Sequence, residues 1–220
     1  LDTTDGLRAV AWTNRLTGRT LNLGQGPEIE FDIGRPDRPL ITPKLRVTGM
    51  ASGGGGAAGE VVFTLEADSP AARVWVTYRW EAGSPVLRKH VVLENTGDGA
   101  WNRLLNVRLG DYATGASRLS GGELQVAPSF RERAERLGGL QGFPVYAEEE
   151  FFLSLAHPAG WATQAPGQIR LRHYPGSVLP FGGRRECMEA VYGVGGEGQG
   201  RAAFVDRKST RLNSSHTIQS

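Results

Sequence analysis

Val74-Trp75-Val76-Thr77-Tyr78-Arg79-Trp80 sorts into two alternating sets, Val74, Val76, Tyr78 and Trp80 against Trp75, Thr77 and Arg79. Successive side chains of an extended chain point to opposite faces, so a period of two predicts a half-buried β-strand. The same spacing recurs on both sides, in Ile29-Phe31-Ile33, Leu45-Val47, Val61-Phe63-Leu65, Trp101-Arg103-Leu105-Val107-Leu109 and Ile169-Leu171. Each of these sets is expected to face a core.

Between the strands lie turn formers, at 14–18, 24–27, 34–39, 53–56, 83–85, 95–99, 121–122 and 195–200. With 31 glycines and 12 prolines, most gaps hold a residue that accepts positive φ or fixes a turn. Short strands separated by such signals predict an all-β fold, a large antiparallel sandwich. A single short helix is predicted over 129–137, with Ser129 as its cap and Gly138-Gly139 as its stop. The glycine run at 53–59 reads as a flexible connection. From Val74 to Leu109 three strands follow one another through turns at 81–85 and 95–99, which predicts an antiparallel meander. His90 falls in its middle strand, in phase with Val86, Arg88, Val92 and Glu94, as a partly exposed strand histidine.

The residues from Asp206 to His216 match the in-frame translation of a common sequencing adapter, so 206–220 is expected to be a non-native tail and 1–205 one β domain of a longer protein. The chain carries 25 Lys+Arg against 23 Asp+Glu, and the tail holds three of the former and one of the latter, which leaves 22 of each. A balanced charge lacks the basic footprint of a nucleic-acid binder. No apolar run reaches the length of roughly 18 residues that a membrane helix needs. The single cysteine, Cys187, makes no intrachain disulfide, and the compartment stays open between cytoplasm and periplasm or secretion.

Cys187 and the scattered His90, His157 and His173 offer no clustered metal ligands, and no metal or cofactor is expected. Gly53-Gly54-Gly55-Gly56 lacks the lysine and the strand-to-helix setting of a phosphate-binding loop. The triplet Glu148-Glu149-Glu150 is expected at a solvated strand start with neighbours on opposite faces, so no catalytic carboxylate pair is assigned. The most site-like region spans 142–176, where two apolar strands end in His157-Pro158-Ala159-Gly160-Trp161 and His173-Tyr174-Pro175-Gly176. Aromatic faces beside polar groups suit a pyranose, with its apolar C–H face and hydroxyl rim. His157, Trp161, His173 and Tyr174 are therefore the candidate carbohydrate contacts; the plainer reading is that the aromatics cover loop ends.

Tyr78-Arg79-Trp80, Pro85-Val86-Leu87-Arg88-Lys89 and Leu93-Glu94-Asn95-Thr96-Gly97 together resemble a stretch of the β-supersandwich domains of large glycoside hydrolases, which share the galactose-mutarotase-like fold. The segments at 151–160 and 173–176 are similar to parts of the N-terminal domains of bacterial α-galactosidase-like proteins. This resemblance implies a non-catalytic front domain, with carbohydrate and a downstream catalytic barrel of about 250 residues as its partners. Stand-alone mutarotases of the same fold use a His and a Glu as acid and base, and their motifs do not map onto His90, His157 or His173. An independent epimerase or mutarotase and a plain carbohydrate-binding module remain the alternatives.

Overall fold

The computed structural model describes residues 1–35, 38–54, 58–121 and 142–206; the expected helix at 129–137, the centre of the glycine run at 55–57 and the tail from 207 onward lie outside these. The chain begins with a hairpin, β1 (Arg8–Thr13) and β2 (Thr20–Pro27), and continues through β3 (Glu30–Arg35) and β4 (Arg38–Ile41). The long strands follow: β5 (Arg46–Gly53), β6 (Gly59–Asp68), β7 (Ala71–Trp80), β8 (Val86–Asn95) and β9 (Trp101–Ala113). Shorter ones complete the fold: β10 (Leu119–Gly121), β11 (Val145–Ala147), β12 (Phe151–Leu155), β13 (Trp161–Ala165), β14 (Gln168–His173), β15 (Ser177–Leu179), β16 (Arg184–Glu186) and β17 (Ala190–Val194).

Among the described residues these strands form three antiparallel sheets, and the fold is the all-β sandwich that the alternating pattern predicts. The larger sheet runs β10-β11-β12-β17-β8-β7-β6-β5, with β16 also on β8; the smaller runs β13-β14-β9-β3-β4, with β15 also on β9. Their inner faces supply one continuous core, in which Phe31, Ile33, Val74, Val76, Val91, Leu93, Val107, Leu109, Phe151, Leu153 and Leu171 are fully buried. Each such side chain contributes about 1.5–3 kcal/mol relative to exposure.

The predicted three-strand meander is corrected. β7 and β8 pair in register from Ala72↔Asn95 to Trp80↔Leu87, but β9 leaves them and becomes the central strand of the opposite sheet. The other edge of β8 is taken by β17 and β16, so no donors remain there for β9. Asn95 directs the crossing. It is fully buried, its Nδ2 donates to Gly99 O (2.8 Å) and Leu179 O (3.0 Å), and its Oδ1 accepts from Gly97 N (3.1 Å).

Strict alternation also fails within β9. Against β3, Asp32 pairs Asn106 and Ile33 pairs Leu104, so Leu105 is an extra residue; Leu104 is buried and Leu105 only half-buried, the reverse of the expected facing. Against β14, Arg170 pairs Asp111 and Arg172 pairs Arg108, a second irregularity, at Leu109-Gly110, that turns Leu109 and Tyr112 to the same side. Each extra residue flips the faces of everything beyond it.

The strands β12 and β17 are buried on both faces. On the outside a second cluster forms from Val86, Tyr146, Phe152, Val191 and Phe204, the last on a short helix over 200–206. The Phe204 ring lies 5.3 Å from that of Phe152 and 6.4 Å from that of Tyr146. Phe152 in turn lies across Gly193, its register partner, so closely that a Cβ there would sit 1.9 Å from the ring.

Candidate functional site

The outer face of the smaller sheet is built from β13, β14, β9 and β3. Directly opposed residues of antiparallel neighbours share a face, so the register Trp161↔Arg172, Arg172↔Arg108 and Arg108↔Glu30 lays one row across four strands. The adjoining row runs Thr163↔Arg170↔Asp111. Beneath them Ala162, Leu171 and Ile169 point into the core.

Most charges on this face are matched. Arg108 donates to Glu30 Oε2 (3.0 Å) and, through both Nη atoms, to Asp32 (2.8 and 3.0 Å). Asp32 also accepts from Thr42 Oγ1 (2.7 Å) and Asn106 Nδ2 (3.0 Å). Burial raises the Asp32 pKa, but the hydrogen bonds from Arg108, Thr42 and Asn106 and the Arg108 charge outweigh it and hold the carboxyl below its ordinary value. Burial likewise opposes the charge of Arg108, and the bonds and charges of Asp32 and Glu30 prevail and raise its pKa. Asp111 is held by Arg170 Nε (3.0 Å) and Gln168 Nε2 (2.7 Å). Arg172 differs: its Nε is shut off from solvent without a hydrogen-bond partner, and its Cζ lies 5.7 Å from the centre of the Tyr174 ring.

The four sequence-derived candidates separate by depth. Trp161 and Tyr174 lie on the outer face beside Arg172, Trp161 half-buried and Tyr174 53% exposed. His157 sits in the exposed turn after β12, where its Nδ1 accepts from Ala159 N (3.0 Å). His173 is turned inward and is 2% exposed, with its Nε2 unpartnered. Burial, reinforced by the positive charge of Arg185 and by His157, lowers its pKa to about 4, so it is neutral at physiological pH. Among the described residues neither His157 nor His173 bonds a carboxylate; His90 has Glu186 3.9 Å away, on an open sheet face.

Two polar constellations escaped the sequence reading. The first lies in the middle of the sandwich. Lys89 on β8 is fully buried and its ammonium meets the carboxylate of Glu28, while also donating to Glu28 O (2.9 Å). Tyr78 and Tyr112 donate to the same carboxylate, Tyr112 at 3.0 Å; with the Tyr112 proton so committed, the single Tyr192 hydroxyl proton goes either to the Tyr112 oxygen (2.8 Å) or to Leu109 O (3.1 Å). Burial lowers the Lys89 pKa despite Glu28, and burial beside Glu28 raises those of all three tyrosines well above normal. The signal was present in the sequence: Lys89 is in phase with Leu87, Val91 and Leu93, the more apolar set of its strand.

The second corrects the reading of the acidic triplet. Glu148 and Glu149 adopt left-handed backbone at φ 52° and 59°, so the triplet is a turn and not a strand start. Glu150 is 1% exposed and binds Arg19 Nε (2.9 Å), Asn14 Nδ2 (3.1 Å) and Thr17 Oγ1. Glu148 accepts from the backbone N–H groups of Ser117 and Arg118. The carboxylates thus tie the tip of the β1-β2 hairpin to the larger sheet.

Among the described residues no group of three or more His, Cys, Asp or Glu is placed to hold a metal ion, and no helix is long and apolar enough to cross a membrane. No family model matches the chain, and no curated protein matches it. Solved structures similar to it include a variant of the GH36 alpha-galactosidase AgaA from Geobacillus stearothermophilus in complex with 1-deoxygalactonojirimycin, at a TM-score of 0.49 and 13% identity. Complexes of variants of the same enzyme with raffinose and with stachyose each give a TM-score of 0.45 at 13% identity. Each comparison covers 78% of this chain and 30% of the AgaA chain, so the chain spans less than a third of the length of the protein it is similar to.

Proposed function

We propose that residues 1–205 are the non-catalytic N-terminal β-sandwich of an α-galactosidase-like glycoside hydrolase, that 206–220 are not native to it, and that the domain touches carbohydrate through the outer face of its smaller sheet. The sandwich fold agrees with what the stretches at 78–97 and 151–176 imply. The observation that carries the carbohydrate contact is the placement of Trp161 and Tyr174 on one face around Arg172, with a ladder of hydrogen-bonded polar groups beside them. Aromatic surface bordered by oriented donors and acceptors matches the two kinds of surface that a sugar presents. His157 lies in the exposed turn that precedes Trp161, and His173 is buried next to Arg172 on β14.

Two experiments test the reading. Recovering the gene downstream of Val205 from the source DNA is expected to show alternating strands and helices of a barrel; a continuation without that alternation overturns the parent assignment. Binding of the chain to oligosaccharides is expected to be lost in Trp161→Ala and Tyr174→Ala with no change in melting temperature, and unchanged binding removes the aromatics from the site. The epimerase alternative draws no support from the histidines, since among the described residues neither His157 nor His173 hydrogen-bonds or ion-pairs with a carboxylate.

A further inference from the structure

Arg172 is held in a setting that lacks one component. Its partner across the ladder is Arg108, a second cation, and like charges placed directly opposite one another destabilise a sheet. Arg108 spends its donors on Glu30 and Asp32, and Arg170 has Asp111; for Arg172 no carboxylate is in place among the described residues. Its Nε has left water without a replacement hydrogen bond, which is costly for a charged group. A planar anion that accepts two parallel N–H bonds from the Nη groups would supply the missing charge.

The surroundings restrict which anion fits. Trp161 stands opposite Arg172 on one side, and the Tyr174 ring lies 5.7 Å from the guanidinium carbon on the same face. A bare carboxylate makes no use of these surfaces, whereas a pyranose ring does. A uronic acid joins the two, with a carboxylate in place of the exocyclic CH₂OH that a neutral hexose ring carries. We infer that this face binds a carboxylate-bearing glycan, with Arg172 clasping the uronate carboxylate and Trp161 or Tyr174 lying under the sugar ring. The inference rests on the proposed carbohydrate contact and narrows its ligand to acidic sugars.

Isothermal titration of the full 220-residue chain at low salt, with trigalacturonate, galactotriose and triglutamate as separate probes, tests it. Trigalacturonate is expected to bind at least about tenfold more tightly than galactotriose, the factor that one charge-assisted bidentate contact supplies, and triglutamate not measurably. R172Q is expected to lower the trigalacturonate affinity by about tenfold or more with an unchanged melting temperature, and R172K, which keeps the charge but not the fork, to fall between. Equal affinity for galactotriose and trigalacturonate overturns the acidic-sugar inference while leaving the carbohydrate contact standing. Binding of neither sugar overturns both. Triglutamate binding as tightly as trigalacturonate, or R172Q binding like the parent chain, also overturns the inference. If R172Q melts early, R172K decides: full retention of selectivity counts against the bidentate clasp.

Discussion

The ammonium of Lys89 and the carboxylate of Glu28 meet at the centre of the sandwich, one from the larger sheet and the other from the link between β2 and β3, with 0% and 4% of their side chains exposed. Neither charge has access to water, so each depends on the other and on the surrounding tyrosine hydroxyls. Removing one member of such a pair leaves an uncompensated buried charge. Lys89→Met is therefore expected to cost about 3–5 kcal/mol in urea unfolding. Lys89→Met combined with Glu28→Gln should recover part of that loss, because a neutral amide still offers an oxygen to Tyr78 or Tyr112. An additive double-mutant cycle would show that the two groups are not coupled.

His173 makes stability depend on pH in a defined window. The folded protein resists protonating it down to about pH 4, while an unfolded chain takes up the proton near its ordinary value of 6.5. The depressed pKa thus contributes stability that is fully present above pH 6.5 and is lost as pH falls toward 4. The loss amounts to at most roughly 3 kcal/mol. His173→Leu should flatten this part of the stability profile, measured by denaturant melts at several pH values; an unchanged slope would show that His173 does not titrate on unfolding.

Cys187 is buried, and burial pushes its thiol up to about 12, against a smaller opposing pull from Arg185. The thiolate is the reacting species, so alkylation by iodoacetamide at pH 8 should be at least about a hundredfold slower in the native protein than in guanidinium. Comparable rates would place the sulfur at the surface.

Phe204 anchors the helix over 200–206 between Phe152 and Tyr146. Phe204→Ala is expected to destabilise the fold by about 3 kcal/mol or more. Deletion of residues 206–220, by contrast, is expected to leave the melting temperature unchanged, as a tail outside the native domain would. A fall comparable to that of Phe204→Ala would show that those residues pack.

Period two was enough to find β3, β5, β6, β7, β9 and β14, because burial of one sheet face imprints itself on local sequence; β1, β2 and β17 were among the strands that it did not pick out. It was not enough to pair them. Nothing within 86–109 records that β17 and β16 occupy the edge of β8, since their residues lie some 90 to 107 positions beyond their partners. The bulges in β9 were hidden for a related reason: Leu104 and Leu105 are equally apolar, and only the partner strand decides which turns inward. The outer-face aromatics Trp161 and Tyr174 were legible as residue types, but their neighbour Arg172 was not, because an unpaired arginine and a solvated one look alike until register places Arg108 beside it. His173 looked like a twin of His157, and the phase of Leu171 was the cue that it turns inward.

Gly193 and Phe152 carry a consequence for descent. With the ring where a Cβ would have to be, Gly193 cannot gain a side chain while Phe152 stays as it is: a side chain at 193 requires a smaller residue at 152. Such a constraint outlives overall identity, because a replacement at 193 survives only where 152 has already become smaller. Distant kin of this domain should therefore show the two positions drifting as one character, either aromatic with glycine or small with small.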